Sequence, residues 1–227
     1  MVTLAPELDN DCEVVRNLVK NGVTVSVGHS VATLCQGEEA VRNGARMITH
    51  LFNAMASFHH RDPGLIGLLT STKLGEGNEI FYGIIADGIH THPAALRIAY
   101  RTNFPSMCLV TDAISPLGLT DGIYQLGEME IKVNGERATL AGNDETLCGA
   151  IASLFKAIQN VIKGSRCTLV EALEAASLHP AKTLKIEAKK GTLDFGSDAD
   201  FIIIDDKKME ILSTWIAGEK VFDKDGF

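Results

Sequence analysis

Three side chains that could act on a substrate follow β-rich stretches of this sequence. His29 comes after "VTVSVG", His50 after "ARMIT" and Asp112 after "MCLVT". Neutral imidazoles are good ligands for a divalent metal ion, and a lone carboxylate can join them or carry a proton. Each residue alone is more simply explained as a structural histidine or a turn-forming acid. Their shared position at strand ends favours a metal site that Asp112 could also reach.

A charged loop, His59 to Asp62, offers a second kind of site. Charge runs of this kind usually form a solvated loop. Alternatively, Arg61 could bind a phosphate, because a guanidinium makes two parallel hydrogen bonds to such an anion. The formal net charge of the chain is −8, so an anionic substrate would need a local cationic cluster of this type.

Two further loops could contact a ligand. In "DGIHTHP", Asp87 and His90 lie on a glycine-containing loop, whereas His92 precedes Pro93 and is typical of a helix entry. The stretch Thr146 to Ala150, "TLCGA", is predicted to open a helix. The first N–H groups of that helix either bind a ligand or are simply the helix start.

Strands and helices alternate through the first half of the chain, and this pattern predicts a parallel sheet. The strands end at or near the candidate residues, which should therefore meet at one edge of the sheet. Five strands fit either an open sheet or part of an eight-stranded barrel. The predicted strands lie at "VTLAPE", "VTVSVG", "ARMIT", "EIFYGIIA" and "SMCLVT", with helix starts at Asp9 or Asn10, at Ser30 or Thr33, and at Pro93.

After Asp121 the pattern changes to short alternating segments. The pair Asn134-Gly135 between two of them predicts a β-hairpin, which we expect as an insertion near 121–142. β structure is predicted again towards the end of the chain. The helix signals in between are the spacing over 150–163, the capping-box pair Thr168 and Glu171, and an expected interruption at His179-Pro180.

Composition limits the class of protein. The chain has 227 residues, of which 45% are hydrophobic and 22% charged, as in ordinary globular domains. The negative net charge argues against a nucleic-acid or anionic membrane surface, and no apolar run has the length of a membrane span. Five scattered cysteines and the lack of a signal-peptide pattern predict free thiols and a cytoplasmic location.

Seven motifs together resemble the N-acetylglucosamine-6-phosphate deacetylases of the amidohydrolase superfamily, in their eukaryotic form. The resemblance runs from Val2 to about Val221, nearly the whole chain. No single motif is specific, but the combination is. The motifs are "GHS", "THLFNAM", "FHHRDPG", "ADGIHTHPAALRIA", "LVTDA", "EALEAASLHPA" and "GTLDFGSDADF".

The resemblance implies an α/β fold, namely the C-terminal portion of a (β/α)8 metal-dependent hydrolase barrel with part of a small β-sandwich. Residues 1–185 would form the partial barrel with the hairpin insertion, and residues 186–227 the C-terminal part of the sandwich. A metal-binding Glu and a substrate-polarising His of the family would precede Val2. The chain is therefore expected to be truncated at its N-terminus, with doubtful activity alone.

The resemblance also implies roles for individual residues. His29 and His50 would bind one divalent metal ion, with zinc the first choice, and Asp112 would be the catalytic acid and base. The side chain of Arg61 would reach across a homodimer into the neighbouring site. Contacts to the amino-sugar phosphate would come from Asn53, Ala54, Arg61, Asp87, Gly88, Ile89, His90, Leu147, Cys148 and Gly149.

One of these contact segments departs from the family pattern. "TLCGA" has Cys148 and Ala150 where the family usually has "LSGS" or "LAGS". Main-chain contacts are compatible with this change, whereas contacts from a side-chain hydroxyl are not.

The expected reaction is metal-dependent hydrolysis of N-acetyl-D-glucosamine 6-phosphate to D-glucosamine 6-phosphate and acetate. Two alternatives stay open at this point. An amidohydrolase acting on another amide would not need the phosphate-suited cluster around Arg61. A catalytically inactive isoform or fragment would agree with the missing Glu, and metal content would discriminate it from an active enzyme.

Overall fold

Five parallel strands form the central sheet, and their order in the sheet follows their order in the chain. The computed structural model describes residues 1–226. Each strand pairs in parallel with the next one, as the alternating pattern predicts. The strands are β1 (Val2–Leu4), β2 (Val25–Val27), β3 (Met47–Ile48), β4 (Phe81–Ile85) and β5 (Met107–Val110).

Helices α1 (Glu13–Lys20), α2 (Leu34–Arg42) and α3 (Pro93–Asn103) connect these strands. Their starts follow the predicted capping signals. The Asp9 carboxylate accepts hydrogen bonds from the N–H groups of Val14 and Val15 in the first turn of α1, and Thr33 with Gln36 forms a capping box at α2. The amphipathic helices bury their apolar faces against the sheet.

The two faces of the sheet differ in what they bury. Val25 and Val27 of β2 belong to the large core shared with the helices. Ser26, between them, points to the opposite face because side chains alternate along a strand. On that inner face, Met47, Phe81 and Cys108 form a second apolar cluster. Both faces are thus buried, as in the strands of α/β barrels.

An antiparallel sheet of four strands follows the last parallel strand. The hairpin predicted at Asn134-Gly135 is present between its second and third strands, with Asn134 paired to Arg137. The inserted sheet is larger than the predicted insertion near 121–142, because a fourth strand adds residues up to 147. The strands are β6 (Gly122–Leu126), β7 (Met129–Asn134), β8 (Arg137–Leu140) and β9 (Asn143–Leu147).

The prediction that Thr146 to Ala150 opens a helix is wrong. Thr146 and Leu147 end β9, and the N–H of Cys148 donates to the carbonyl of Ala138 at 3.0 Å. The backbone of this segment is therefore committed to sheet pairing. The helix, α4 (Leu154–Ser165), starts only after Ser153, whose hydroxyl accepts the N–H of Lys156.

The remaining elements are two short helices and a small antiparallel sheet of three strands. Thr168 and Glu171 form the predicted capping box. The helix break falls at Ser177, so His179-Pro180 lies in the first turn of the next helix and does not cause the interruption. No helix within residues 1–226 has the length and apolarity needed to span a membrane. The elements are α5 (Leu169–Ala176), α6 (Leu178–Leu184), β10 (Phe201–Asp205), β11 (Glu210–Ile216) and β12 (Glu219–Asp223).

Candidate metal and substrate site

His29 and His50 meet at the C-terminal ends of neighbouring strands. His29 lies two residues after β2 and His50 two residues after β3, and their Nε2 atoms are 2.8 Å apart. Both residues have left-handed backbone angles, with φ of 50° and 25°. His29 is exposed, whereas His50 is buried. The predicted pair therefore exists, with both rings aimed at one point.

The residues before the two histidines bring the strand ends close together. A Cβ atom on Gly28 would lie 2.6 Å from the Cβ of Thr49, so only glycine fits beside that side chain. The Thr49 hydroxyl lies 2.5 Å from the Ser26 hydroxyl and 2.9 Å from that of Thr3. These hydrogen bonds connect β1, β2 and the end of β3 on the inner face. Sequence reasoning did not identify this hydroxyl cluster.

The histidine pair fits a divalent cation in part. At 2.8 Å, one Nε2 must carry a proton and the other must accept it, and a cation between the rings would replace that proton. The buried Nδ1 of His50 has no hydrogen-bond partner in the described chain. Within residues 1–226, no three His, Cys, Asp or Glu residues form a metal-binding group. Asp112, expected as a possible third ligand, therefore does not complete the site.

Asp112 follows β5, two strands away from His50 in the sheet. Its side chain is exposed and its φ is 53°. The carbonyl of Asp112 accepts the N–H of Ala150 at 2.9 Å, and the carbonyl of Ala150 accepts the N–H of Ile114 at 3.0 Å. These bonds hold the segment Leu147 to Gly149 against the end of β5. The structure thus brings these predicted contact residues to Asp112.

Gly149 is required by this close approach. Its φ is 77°, which side chains other than glycine rarely adopt. A Cβ atom there would lie 2.7 Å from Ile114 and 3.1 Å from the carbonyl oxygen of Asp112. Cys148 beside it is half-buried, and its backbone N–H is already paired with β8. Main-chain contacts from Cys148 to a ligand must therefore use another group.

The loop after β4 folds around Asp87, which is buried. One carboxylate oxygen accepts the N–H groups of Ile89 and His90, each at 2.8 Å. The other lies 2.6 Å from Nδ1 of His90. Burial raises the pKa of Asp87, but these hydrogen bonds lower it by more than burial raises it. The pKa of Asp87 therefore lies below its usual value. Both oxygens of Asp87 are therefore bonded inside the loop, and a contact of this residue with a substrate stays a prediction.

The backbone of Asn53 and Ala54 lies beside the turn that carries His29. The carbonyl of Ala54 accepts the N–H of Ser30 at 3.0 Å, and the N–H of Asn53 donates to the carbonyl of His50. These two residues are therefore bonded directly to the segments of both histidines. The predicted contact of Asn53 and Ala54 with the amino sugar stays a prediction.

Arg61 lies on an exposed loop that follows the segment of Asn53 and Ala54 in the chain. Nη1 of Arg61 lies 3.5 Å from Nε2 of His60. The loop is tied to the chain by Asp62, whose carboxylate accepts the N–H of Leu34 at the start of α2. Backbone hydrogen bonds from Leu34 and Gly64 lower the pKa of Asp62. The guanidinium is thus open to an anion.

Glu7 lies in the site region, although it was not among the predicted site residues. Its carboxylate accepts the Ser30 hydroxyl at 2.6 Å and the N–H of Val31 at 2.8 Å. Burial raises the pKa of Glu7, but these two hydrogen bonds more than offset it, and the pKa is lowered. Glu7 and His29 line one cavity of about 400 Å³. The only sequence signal was an acid shortly after a strand.

Comparison with known proteins places this geometry in a family. The model of the amidohydrolase family matches residues 5–221. The chain belongs to the amidohydrolase family. Enzymes of this family generally use a divalent metal ion, in agreement with the histidine pair.

Individual relatives of the chain carry more specific names than the family. The chain is 54% identical to the N-acetylglucosamine-6-phosphate deacetylase of Danio rerio, over 99% of this chain and 55% of that protein. It spans about half the length of the relatives that it matches.

Solved structures confirm the predicted fold, part of a (β/α)8 barrel with a small β-sheet region. The deacetylase of Thermotoga maritima is 29% identical, with a TM-score of 0.88 over 98% of this chain and 59% of that one. A variant of the Mycobacterium smegmatis deacetylase was solved in complex with N-acetyl-D-glucosamine-6-phosphate. That chain is 32% identical, with a TM-score of 0.88 over 97% of this chain and 57% of that one.

Proposed function

We propose that the chain carries the metal-binding and proton-transfer groups of an N-acetylglucosamine-6-phosphate deacetylase. The reaction would convert N-acetyl-D-glucosamine 6-phosphate to D-glucosamine 6-phosphate and acetate. The observation that carries the proposal is the convergence of two imidazole Nε2 atoms at adjacent strand ends, in a chain 54% identical to such deacetylases.

The metal would be held by His29 and His50, with zinc the proposed ion because it suits nitrogen ligands. When bound, it would lower the pKa of the attacking water and polarise the acetamide carbonyl. The proposed role of Asp112 is to accept a proton from that water and to donate it to the leaving amine. Its exposed carboxylate at the end of β5 is free to do so.

The substrate would lie along the strand ends between the metal pair and Asp112. The main chain of Asn53 and Ala54 would flank the acetamide end, since it is bonded to both histidine segments. The loop after β4, the last residue of β9 and the two residues that follow β9 would contact the sugar. The residues proposed for that contact are Gly88, Ile89, His90, Leu147, Cys148 and Gly149.

Arg61 would bind the phosphate from the neighbouring copy in a homodimer. Its exposure supports this role, because an exposed guanidinium can bind an external anion. All five cysteines are free thiols, which supports the proposed cytoplasmic location.

The decisive experiment is Asp112→Asn. Because the chain spans about half of its relatives, the assay uses a chimera in which this chain replaces the matching segment of the Danio rerio enzyme. We expect zinc content to stay unchanged while turnover falls by roughly 10²- to 10⁴-fold, the usual contribution of a general acid or base. Glu128→Gln, at an exposed turn, is the matched control. Near-normal turnover of Asp112→Asn would exclude Asp112 as the proton carrier.

Arg61→Ala tests the phosphate contact in the same chimera. We expect weaker binding of the phosphorylated sugar by roughly ten- to a hundredfold, since a charge-assisted hydrogen bond contributes about 1.5–3 kcal/mol. Unphosphorylated N-acetylglucosamine should be much less affected. An equal loss with both sugars would mean that Arg61 has a structural role.

A further inference from the structure

The loop after β4 contains a histidine whose orientation is fixed from within the protein. Nδ1 of His90 lies 2.6 Å from one oxygen of Asp87, and the His90 side chain is largely buried. A carboxylate whose pKa is lowered is ionised at neutral pH and can only accept. Nδ1 of His90 must therefore carry the proton in this contact.

The other ring nitrogen is left free. In the described chain, Nε2 of His90 has no hydrogen-bond partner, and it is not among the buried atoms that lack one. It therefore reaches solvent. With the proton on Nδ1, neutral His90 presents an unprotonated Nε2, which accepts a hydrogen bond from a hydroxyl or amide N–H group.

We propose that Asp87 is a positioning residue that holds His90 as its Nδ1–H tautomer and so presents Nε2 as an acceptor to the amino sugar. The inference rests on the proposed function for the nature of the ligand. It assigns Asp87 an indirect role, in place of the direct substrate contact that the sequence suggested. The same logic operates wherever a carboxylate orients a histidine.

Three other features of the loop support a fixed arrangement. The Asp87 oxygen that does not contact His90 Nδ1 accepts the N–H groups of Ile89 and His90. The carboxylate therefore cannot rotate without breaking these two hydrogen bonds. Gly88 has a φ of 86°, which allows the tight turn. Asn160 of α4 donates to the carbonyl of Ala86 at 2.9 Å and anchors the start of the loop.

Asp87→Asn separates positioning from folding. The amide oxygen of asparagine can still accept the two backbone N–H groups, so the turn is retained. The amide nitrogen then faces Nδ1 of His90 and can only donate to it. The proton of His90 must consequently move to Nε2, which turns the acceptor into a donor.

The test is ¹⁵N NMR of the histidine-labelled 227-residue chain, with the His90 signals assigned by their absence in His90→Ala. We expect the Nδ1–H tautomer in the wild type and the Nε2–H tautomer in Asp87→Asn, with the amide signals of Ile89 in place. A wild-type Nε2–H tautomer, or the mixture of an unconstrained histidine, would overturn the proposal.

Titration of the chimera with N-acetyl-D-glucosamine 6-phosphate gives the second readout. We expect Asp87→Asn and His90→Ala each to weaken binding by roughly three- to tenfold, the effect of one hydrogen bond. The double variant should be no weaker than His90→Ala alone, because Asp87 acts through His90. Additive losses would overturn the positioning role. If no form binds the sugar, the proposed function fails, and the tautomer alone decides the inference.

Discussion

Both proposed metal ligands have backbone angles that are costly for residues other than glycine. A left-handed conformation costs of order 1–3 kcal/mol at such a residue, and it persists only where the surroundings enforce it. At His29 the surroundings are visible: Glu7 binds the two residues that follow, and Ala54 accepts the N–H of Ser30. This cost is typical of functional sites and supports the proposed role of His29 and His50.

Gly28→Ala tests whether the close approach of the two strand ends determines metal binding. The added methyl group would lie 2.6 Å from Thr49, so β2 and β3 must separate. Overpacking of this kind costs about 1–3 kcal/mol. Because His29 directly follows Gly28, we expect zinc affinity to fall by roughly tenfold or more, as measured by calorimetric titration.

Gly22→Ala is the control for that experiment. Gly22 follows α1 with a φ of 73°, and a methyl group added there would have no atom within 4 Å, so substitution strains the turn without touching the histidines. It should lower the melting temperature and leave zinc affinity unchanged. Equal loss of zinc affinity in both variants would show that general destabilisation, not the strand spacing, explains the effect.

The sequence predicted the histidine pair because strand ends in a parallel sheet must lie together. It did not predict the roles of Glu7 and Asp87, since an acid after a strand can bond to any neighbouring loop. Which N–H groups an acid meets depends on the tertiary path of those loops. For the same reason no distance between Asp112 and the histidines could be predicted, and the structure does not join them in one metal-binding group within residues 1–226.

At the scale of elements, helix starts were predictable where a complete capping box occurs, at Thr33 and Thr168. The start of α4 was misplaced because its cap, Ser153, has Lys156 at the third helical position instead of Glu or Gln. Residues 146–150 pair with β8 and with Ala113, and this pairing gives them an extended conformation instead of a helix. Such pairing involves residues distant in sequence, so local pattern could not show it.

Helix α6 is attached to the outer strand β5 by a buried histidine. Nδ1 of His179 donates to the carbonyl of Met107 at 2.7 Å, and the ring packs edge-on against Phe104. Burial lowers the pKa of His179, although the bond to Met107 and the charge of Glu174 partly oppose this. The folded chain therefore takes up a proton at His179 less readily than the unfolded chain.

This difference predicts a stability that depends on pH. At a pH above the ordinary histidine value both states are neutral at His179, and there is no penalty. As the pH falls below that value, only the unfolded state binds the proton, so the free energy of unfolding decreases by up to about 1.4 kcal/mol per pH unit until the folded pKa is reached.

His179→Asn measures the effect, since its amide nitrogen can replace Nδ1 as donor without titrating. We expect the wild type to lose more stability than the variant between about pH 7.5 and about pH 5.5 in urea unfolding. The other histidines titrate in both proteins, so the difference isolates His179. Parallel pH profiles would contradict the assignment.

At the scale of the whole molecule, the five-stranded sheet has two outer strands, β1 and β5, each paired on one side only. Strands of this kind can pair with another chain. Helix α6 lies against β5 through His179, whereas β1 has Val2 41% exposed. The inner cluster of Met47, Phe81 and Cys108 lies on β3, β4 and β5, away from β1. We therefore expect self-association to begin at β1.

Val2→Lys tests this expectation, because a lysine on an outer strand disfavours pairing with a second sheet. The 227-residue chain should show a mass that rises with concentration in light scattering, and Val2→Lys should shift it towards the monomer. Val14→Lys, at a residue 51% exposed on α1, adds the same charge away from the strand and should not. Zinc should raise the melting temperature little, because two histidines alone bind it weakly. A wild-type chain that is monomeric at every concentration, with a cooperative melt, would show that β1 is already protected.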